Sequence, residues 1–575
     1  MTSMYEIKKE LTTTEREKLN KYSDTLAKLL FHRGILDNKT ADEFINVDYE
    51  KGINDPFLLK DIDKATDRIL GAIKNKETIC VYSDYDADGI PGAVVLSDFF
   101  RKIGYENFFS YIPHRNLEGF GLNLGAIEKI SEKGAKLIIT IDCGITDIKP
   151  IDLAVEKGID VIVTDHHDPN GHEPNTVATI NQKQPGCEYP DKNLCGAGVI
   201  FKVVQALIKK GNEQKMFEVA EGWEKWLLDM VGIATLSDMV PLVGENRVFA
   251  KYGLTVMQKS KRKGFLKLLK KAWLKPRDIA EDDVGFTISP RINAASRMDA
   301  PEMAYKMLFT DDDVEADQTV TYLDKINNER KGKVSAMVKD IKKFLDKDSK
   351  TGERKIIVHG NPNWQPSLLG LAASSIVDTY KRPVFLWGRG EGKTLKGSCR
   401  SDGSCNLVEI MNEIKPGVIF DFGGHEMAGG FEITDEGVFE IDAEMEKAFE
   451  KAKTKNIDSK IMIDQRVVID DLTWGLFNDL NKLSPFGVEN PKPVFVLEKV
   501  KIDEIELFGK TKDHQKIIFR NSEGKNINAI KFFVGGDDKY LKLESGQTID
   551  LIFNLEKSTF GRYPELRLKV VEVFS

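Results

Sequence analysis

The chain has 575 residues, enough for roughly three or four domains. With 41% hydrophobic and 30% charged residues, its composition is typical of a globular protein with several cores. The formal net charge of −8 excludes a general attraction to nucleic acids or anionic membranes, so such binding would need local basic patches. Because the first residues lack an apolar run and no stretch of about 18 uninterrupted apolar residues occurs, we expect neither a signal peptide nor a membrane span.

The six cysteines contain no Cys-x-x-Cys pair, and their spacing does not fit a zinc site. Cys80 and Cys143 lie at the ends of apolar, strand-like runs. We interpret the cysteines as buried free thiols, which predicts a reducing, cytoplasmic location.

The first half of the chain changes from a helical to an alternating pattern. Residues 1–60 are polar and predict an N-terminal helical extension. Residues 61–320 alternate between strand and helix patterns, which predicts an α/β domain with a parallel sheet. Its buried strands are predicted at 78–82, 137–141 and 161–164. Because ligands bind at the carboxyl ends of strands in such sheets, we expect the acidic residues that follow these strands to converge.

The second half of the chain contains three further segments. Residues 321–352 are highly charged with sparse apolar residues, which is typical of a long, exposed connecting helix. A second α/β domain is predicted at 353–455, and a small β-barrel or sandwich at 456–575.

The first acidic cluster comprises Asp84, Asp86 and Asp88 after the first predicted strand. Three neighbouring carboxylates repel one another unless cations neutralise them, and such hard oxygen ligands suit Mg²⁺ or Mn²⁺. A calcium loop would need a glutamate at its twelfth position, where this chain has Val95. Acidic turn residues that merely cap the next helix remain the alternative.

Further candidate ligands follow the other two strands. Asp142 follows the second strand, and Asp165, His166 and His167 follow the third. Imidazole combined with carboxylate suits Mn²⁺, Fe²⁺ or Zn²⁺ better than Mg²⁺. Taken singly, Asp142 is also typical of a helix cap, the histidine pair can be incidental, and Asp238 can be structural. Together with the first cluster they suffice for a two-metal phosphodiesterase site.

In this order and spacing, the motifs resemble those of the DHH phosphoesterase family, in particular its 5′→3′ single-stranded-DNA exonucleases. The resemblance covers nearly the whole chain. The matching segments are Asp84–Gly89, Ile141–Gly144, Asp165–His167, Cys195–Val199, Ser237–Leu242, Pro113–Arg115, Glu118–Gly121, Pro290–Arg297, Gly397–Ser401, Gly423–Gly429 and Pro485–Pro491.

The resemblance implies roles for the acidic and histidine residues. Two divalent ions, Mn²⁺ or Mg²⁺, would be held by Asp86, Asp88, Asp142, His166 and Asp238. Asp142 would bridge the two ions. The remaining catalytic residues would be His167, which would contact the scissile phosphate, together with Asp165 and Asp84.

The resemblance also implies that 61–320 is the DHH catalytic domain and that 353–455 is the DHH-associated domain, which holds substrate phosphates. Small residues let backbone N–H groups approach a phosphate, and an arginine offers a bidentate fork. The implied substrate-binding residues are Arg115, Arg291, Asn293, Arg297, Ser398, Arg400, Ser401, Gly423, Gly424 and His425. Taken alone, His425 would more often be structural. The chain departs from the family pattern at Pro91, at Glu489 and at Gly430, which is expected to widen the Gly-Gly-His loop.

For two segments, the sequence leaves open whether they bind DNA. The last domain resembles an OB-fold, in which aromatic side chains stack on single-strand bases. Its candidates, which could each belong to the core instead, are Phe519, Phe532, Phe533, Phe553, Phe560 and Tyr563. Residues 251–277 contain ten Lys or Arg and no Asp or Glu, and they form either the solvated face of a helix or a phosphate-tracking strip.

The sequence therefore predicts a metal-dependent exonuclease that degrades single-stranded DNA to 5′-mononucleotides in repair and recombination. Its expected partners are single-stranded DNA and a single-strand-binding protein or helicase, and we expect a monomer. The alternative is a DHH-family hydrolase of short oligoribonucleotides, cyclic dinucleotides or pyrophosphate, but such relatives are shorter and lack the last domain. A non-enzymatic scaffold would have lost carboxylates, whereas every proposed ligand is present.

Overall fold

The computed structural model describes residues 5–169, 171, 173–347, 354–389, 394–452, 460–510, 512–534, 539–559 and 563–575. The chain divides into two compact units. The end unit comprises Met1–Ile53, Pro241–Lys251 and Ser459–Ser575, and the central unit comprises Asn54–Val240 and Tyr252–Asp458. Among the described residues, no helix is long and apolar enough to cross a membrane.

The strands of the described ranges fall into four sheets. They are β1 (Tyr5–Ile7), β2 (Ile79–Ser83), β3 (Phe108–Tyr111), β4 (Leu137–Ile141), β5 (Asp160–Thr164), β6 (Ala178–Ile180), β7 (Ile357–Gly360), β8 (Val384–Gly388), β9 (Leu395–Arg400), β10 (Ile419–Gly424), β11 (Ala428–Ile433), β12 (Ile461–Ile463), β13 (Gln465–Arg466), β14 (Phe495–Lys501), β15 (Glu504–Phe508), β16 (His514–Arg520), β17 (Asn526–Lys531), β18 (Thr548–Ser558) and β19 (Glu565–Phe574).

The α-helices connect and cover these sheets. They are α1 (Thr13–Lys18), α2 (Asp24–Phe31), α3 (Asn38–Ile45), α4 (Tyr49–Gly52), α5 (Ile62–Asn75), α6 (Gly89–Lys102), α7 (Leu124–Glu132), α8 (Ile148–Glu156), α9 (Gly196–Glu213), α10 (Leu228–Ser237), α11 (Gly244–Met257), α12 (Lys263–Lys271), α13 (Glu281–Asp283), α14 (Ser289–Arg297), α15 (Glu302–Phe309), α16 (Asp313–Lys347), α17 (Pro366–Tyr380), α18 (Leu407–Asn412), α19 (Ile441–Lys451) and α20 (Trp474–Asn481).

The central unit contains the predicted parallel sheet, with strand order β3-β2-β4-β5-β6 and every pair parallel. The continuous apolar runs of β2 and β4 are buried along their whole length. Such burial is expected of parallel strands covered on both faces by helices. The predicted parallel-sheet fold of the first domain is therefore confirmed.

The second sheet of the central unit has the order β10-β11-β9-β8-β7, in which only β7 and β8 run parallel. Gly430 lies within β11, opposite Gly423 and Ser398, so it does not widen a loop as expected from the sequence.

The connecting helix, α16, begins at Asp313, before the predicted start at 321, and is described to Lys347. It is less exposed than its charged sequence suggests. The buried residues Leu323, Ile326, Met337 and Ile341 follow the helical repeat and line one face. This face anchors the helix along its length.

The end unit contains a seven-stranded sheet, with order β13-β14-β18-β19-β17-β16-β15. Leu26, Leu29 and Leu30 of α2 belong to the same buried cluster as Phe495 and Phe553 of this sheet. β1 also pairs in parallel with β12. The predicted N-terminal extension thus shares one core with the C-terminal β-domain.

The aromatic residues proposed for base stacking divide into two groups. Phe519 and Phe553 are fully buried core residues, whereas Phe533 and Tyr563 are exposed. Phe532 contacts Phe533 through its ring, and Phe560 lies outside the described residues. Two of the six candidates are thus excluded from stacking on bases.

Charges of the basic run 251–277 are partly neutralised within the protein. Arg262 pairs with Asp98 and Asp229, and Lys263 and Lys267 both contact Asp313. These three cations are engaged by carboxylates, which argues against a phosphate-tracking strip at their positions.

Candidate metal centre

The strand register brings the predicted acidic clusters together. Ser83 at the end of β2 is opposite Ile141 in β4, which is opposite Thr164 in β5. The residues that follow these three are Asp84, Asp142 and Asp165. Three carboxylates that are far apart in sequence therefore emerge side by side at the carboxyl edge of the sheet, as the sequence predicted.

The loop between β2 and α6 is held by backbone hydrogen bonds to its own carboxylates. Asp86 accepts hydrogen bonds from the N–H groups of Asp88 and Gly89. A Cβ at Gly89 would lie 2.5 Å from the carbonyl oxygen of Asp84, so only glycine fits this turn. The tight turn places Asp84, Asp86 and Asp88 on one short loop.

Asp88 is bound at the start of another helix. It accepts hydrogen bonds of 2.7 Å from the N–H groups of both Gly196 and Ala197, at the N-terminus of α9. Free N–H groups and the helix dipole stabilise a carboxylate at this position. The sequence does not predict this contact, although the Cys195–Val199 motif contains both donors.

Among the described residues, the candidate ligands form three groups, and within each group the donor atoms lie within 4.8 Å of one another. The groups are Asp84 with Asp86 and Asp142, Asp88 with His166 and Asp238, and Asp142 with His166 and His167. Asp142 and His166 each belong to two groups. All predicted metal ligands are thus brought together.

The distances between donors fit a shared cation. His166 Nε2 lies 3.1 Å from Asp142 Oδ1 and 3.7 Å from both Asp88 Oδ2 and Asp238 Oδ2. Metal–ligand bonds of about 2.1 Å in octahedral geometry place neighbouring donors about 3 Å apart and opposite donors about 4.2 Å apart. Asp84 Oδ1 and Asp142 Oδ1 are also buried without a hydrogen-bond partner among the described residues. Oxygen atoms of this kind are suited to a divalent cation, so the residues fit the metal that the sequence predicts.

The electrostatics of the carboxylates point to the same need for positive charge. Burial and the charge of Asp86 raise the pKa of Asp84, and they raise the pKa of Asp88 to about 7. Burial and the charge of Asp88 raise the pKa of Asp142, and they raise the pKa of Asp238 to about 8. All four groups resist ionisation together unless a cation compensates their charge.

Asp165 has a different role, because its oxygens are already occupied. They accept hydrogen bonds from the backbone N–H groups of Ile145, His166 and His167. They also accept a hydrogen bond from Nδ1 of His167, at 2.7 Å. Burial opposes charge on both side chains of this pair. Nevertheless, their hydrogen bond lowers the pKa of Asp165 and raises that of His167 to about 9. Asp165 therefore holds His167 as a cation.

His166 stays neutral beside this cation, as a metal ligand must. Burial and the charge of His167 lower the pKa of His166 to about 4. On the open side, the ring of Phe120 packs edge-on against His167, with ring centroids 5.5 Å apart. The two adjacent histidines thus have opposite charge states and separate roles.

Three predicted substrate residues form an arginine group beside the acidic loop. Arg115 lies over the ring of Tyr85 at 4.9 Å. Burial and the charges of Arg115 and Arg330 lower the pKa of Arg297 to about 9. Burial also lowers the pKa of Arg400, and Arg115 adds to this effect. Guanidinium groups that repel one another in this way are suited to bind an anion such as phosphate.

Other predicted substrate residues are engaged within the protein. Arg291 donates to Asp324, with Nη2 at 3.1 Å from Oδ1, and to the Thr287 carbonyl. Asn293 accepts a hydrogen bond from the N–H of Ala87 and so supports the acidic loop. Buried Ser401 donates to the Cys405 carbonyl. These contacts hold all three side chains in place within the protein, and their contact with substrate stays a prediction.

The remaining predicted residues lie on the second sheet. Ser398 accepts a hydrogen bond from Arg400 on the same strand, β9. Gly423 and Gly424 end the edge strand β10 and are exposed, as is His425. The exposed edge leaves these groups accessible to a ligand.

Replacement of Gly196 by alanine is expected to displace Asp142. The new Cβ would lie 2.5 Å from Cβ and 2.7 Å from Oδ1 of Asp142, so that side chain must move. Because small displacements at a reacting centre are costly, we expect kcat/KM to fall about 100-fold and the Mn²⁺ requirement to rise. The matched control is Gly71→Ala, where a Cβ meets nothing within 4 Å. Equal metal titrations of both variants would contradict the expected displacement.

Comparisons with known proteins agree with this arrangement. Sequence models of three domains match the chain: the DHH family N-terminal domain at residues 78–235, the DHHA1 domain at 353–454 and the RecJ OB domain at 463–572. A crystal structure of Thermus thermophilus RecJ in complex with Mn²⁺ matches with a TM-score of 0.78 and 25% identity, over 98% of this chain and 77% of that chain. The folds predicted for the parallel-sheet, DHH-associated and OB-like domains are therefore confirmed.

Two exonucleases are also similar to this chain in sequence. The single-stranded-DNA-specific exonuclease RecJ of Bacillus subtilis is 34% identical over 89% of this chain, which spans 63% of that relative's length. RecJ of Escherichia coli is 30% identical over 76% of this chain and 78% of the relative. With its donor groups, three matching domains and this similarity, the chain belongs to the RecJ family of single-stranded-DNA-specific exonucleases.

Proposed function

We propose that this protein is a metal-dependent exonuclease that hydrolyses single-stranded DNA in the 5′→3′ direction and releases 5′-mononucleotides. The observation that carries the proposal is the convergence of Asp84, Asp142 and Asp165 at the sheet edge, with His166 3.1 Å from Asp142. Single-stranded DNA is the substrate named for the relatives in Bacillus subtilis and Escherichia coli.

We assign the ligands of two divalent ions, Mn²⁺ or Mg²⁺, to Asp86, Asp88, Asp142, His166 and Asp238, with Asp84 beside them. When bound, the ions would supply an activated water and stabilise charge on the leaving oxygen. The presence of Asp142 in two donor groups supports its assignment as the ligand shared by both ions.

The protein's own groups would hold the phosphate. His167 can donate from Nε2 to a phosphate oxygen, because Asp165 engages its Nδ1 and stabilises its positive charge. We assign a substrate phosphate to Arg115, Arg297 and Arg400, with Ser398, Gly423, Gly424 and His425 on the second sheet as further contacts. Asn293, Arg291 and Ser401 keep the supporting roles that their hydrogen bonds give them.

The match of residues 463–572 to the RecJ OB domain supports a polymeric strand over a short oligoribonucleotide or cyclic dinucleotide as substrate. We place the enzyme in DNA repair and recombination, acting as a cytoplasmic monomer alongside a single-strand-binding protein or helicase. The proposed domains are 1–60, 61–320, 353–455 and 456–575, with residues 321–352 as the connecting segment.

The test is degradation of a 20-nucleotide thymidine strand with Mn²⁺, compared with the equivalent RNA, the duplex and a cyclic dinucleotide. Streptavidin bound to biotin at either end establishes the direction of degradation. We expect mononucleotides from single-stranded DNA only, with inhibition by a 5′ block, loss of activity in EDTA and recovery when Mn²⁺ is added back. Faster turnover of the cyclic dinucleotide, or equal inhibition by a 3′ block, would contradict the proposal.

A further inference from the structure

A group of cations on α14 and α16 lies beside the metal centre with few acidic partners. Arg297 at the end of α14 donates from Nη1 to the Ser367 carbonyl at 2.7 Å rather than to a carboxylate. Gln365 accepts a hydrogen bond from Lys333 of α16 and donates one to the Arg297 carbonyl, both at 3.2 Å, which places this part of α16 beside the end of α14. The charge of Arg330 lowers the pKa of Arg297, in addition to burial and Arg115. The group therefore extends beyond the three arginines predicted from the sequence.

Arg330 is fixed in place without being neutralised. Its Nη2 donates to Asn327 Oδ1 at 3.0 Å, and its Nε is buried with no hydrogen-bond partner in the described ranges of the chain. Asn327 is fully buried, and its Nδ2 has no partner among the described residues. A guanidinium that is held by an amide keeps its whole charge available for an anion.

Arg330 also has no carboxylate partner within the described part of the chain. The neighbouring cation Arg291 is paired with Asp324, whereas Arg330 forms no ion pair there. Arg330 thus keeps a positive charge that is not paired with a carboxylate of the described residues.

We propose that Arg330 binds a backbone phosphate of the single strand, apart from the phosphate held at Arg115, Arg297 and Arg400, and that Asn327 positions Arg330. The inference rests on the proposed function and adds a second phosphate contact to it. A single strand presents a phosphate at every nucleotide, and an arginine fork matches its non-bridging oxygens.

The test compares Arg330→Gln with Lys325→Gln. Both variants lose one positive charge from α16, but Lys325 is an exposed residue near Glu329. Each full-length variant is assayed with Mn²⁺ on 5′-phosphorylated thymidine strands of 20 and of 2 nucleotides, over a range of salt concentrations. The strand of 2 nucleotides has only its terminal and scissile phosphates, so it has no phosphate for the proposed contact.

We expect Arg330→Gln to lower the ratio of kcat/KM between the long and the short strand about tenfold, as for the loss of one charge-assisted contact. The slope of log kcat/KM against log salt for the long strand should become shallower by about 0.7, the value for one phosphate. Lys325→Gln should change neither quantity. The melting temperature of Arg330→Gln should stay near that of the wild type, because the lost hydrogen bond to Asn327 is offset by removal of a charge that burial and Arg291 disfavour.

An equal loss of activity on both strands would overturn the inference, because Arg330 would then serve the phosphate at Arg297. An unchanged salt slope with a lowered melting temperature would assign Arg330 a structural role and would also overturn it. Failure of the wild-type protein on both strands would instead overturn the proposed function, and the inference with it.

Discussion

Replacement of Asp142 by asparagine is expected to lower kcat/KM on single-stranded DNA by on the order of 1,000-fold or more. Asp142 is common to two donor groups, and its Oδ1 lies 3.1 Å from His166 Nε2. An amide lacks the negative charge that holds a divalent ion between such donors. The measurement is a single-turnover rate with a Mn²⁺ titration, in which saturating metal should not restore the rate.

The same substitution is expected to stabilise the metal-free protein by on the order of 1 kcal/mol, as functional sites exchange stability for activity. The reason is that Asp142 is a buried carboxylate repelled by Asp88 and Asp86. Asp168→Asn is the matched control, because Asp168 is an exposed carboxylate nearby that pairs with Lys183. Activity of Asp142→Asn above about a tenth of wild type would refute the ligand assignment.

The position of the acidic residues could be predicted because it depends on local patterns. Apolar runs identify β2, β4 and β5, and parallel pairing then places Asp84, Asp142 and Asp165 at one edge. No long-range information is needed beyond the order of the strands. For this reason the candidate ligands and the fold of the first domain follow from the sequence.

Contacts between distant segments could not be predicted in this way. The N–H groups of Gly196 and Ala197 bind Asp88, although α9 starts more than 100 residues later in the chain. Similarly, hydrophobic periodicity indicates that Leu26 and Leu29 are buried, but not that they pack with Phe553 in the C-terminal β-domain. Periodicity identifies the buried face of an element and leaves its partner open.

The sequence also did not show which charged side chains form ion pairs. Arg291 and Arg330 both lie in charged or polar segments, yet of these two only Arg291 has a carboxylate partner among the residues that the structure describes. Likewise, the basic run 251–277 contains no acidic residue, but Asp98, Asp229 and Asp313 come to it from other helices. Net charge along a sequence therefore did not identify the cations that remain available for DNA.

Replacement of Arg262 by methionine is expected to destabilise the central unit by about 3–5 kcal/mol, the usual cost of leaving buried carboxylates unpaired. Arg262 donates from Nε to Asp229 at 2.7 Å, and its Nη1 lies 2.6 Å from Asp98. All three side chains are largely excluded from solvent. The free energy of unfolding, from urea titration, measures the effect.

The matched control is Lys267→Met, because Lys267 makes looser contacts of 3.6 and 3.7 Å with Asp313 and Asp317 and is more exposed. Surface pairs of this kind contribute about 0–1 kcal/mol, so this variant should stay near wild type. A cost for Arg262→Met no larger than that of the control would show that the buried pairs do not stabilise the unit.

A triple variant distinguishes an effect of Arg262 on protein stability from an effect on the positions of the proposed metal ligands. Asp98 lies in α6, which begins directly after Asp88, and Asp229 lies in α10, which ends directly before Asp238. Arg262 thus links the two helices that carry proposed ligands at their ends. Arg262→Met combined with Asp98→Asn and Asp229→Asn leaves no buried charge unpaired, so most of the lost stability should return. If the triple variant nevertheless requires more Mn²⁺ than the wild type, Arg262 also sets the spacing of the two ligands, whereas a wild-type requirement would restrict Arg262 to a structural role.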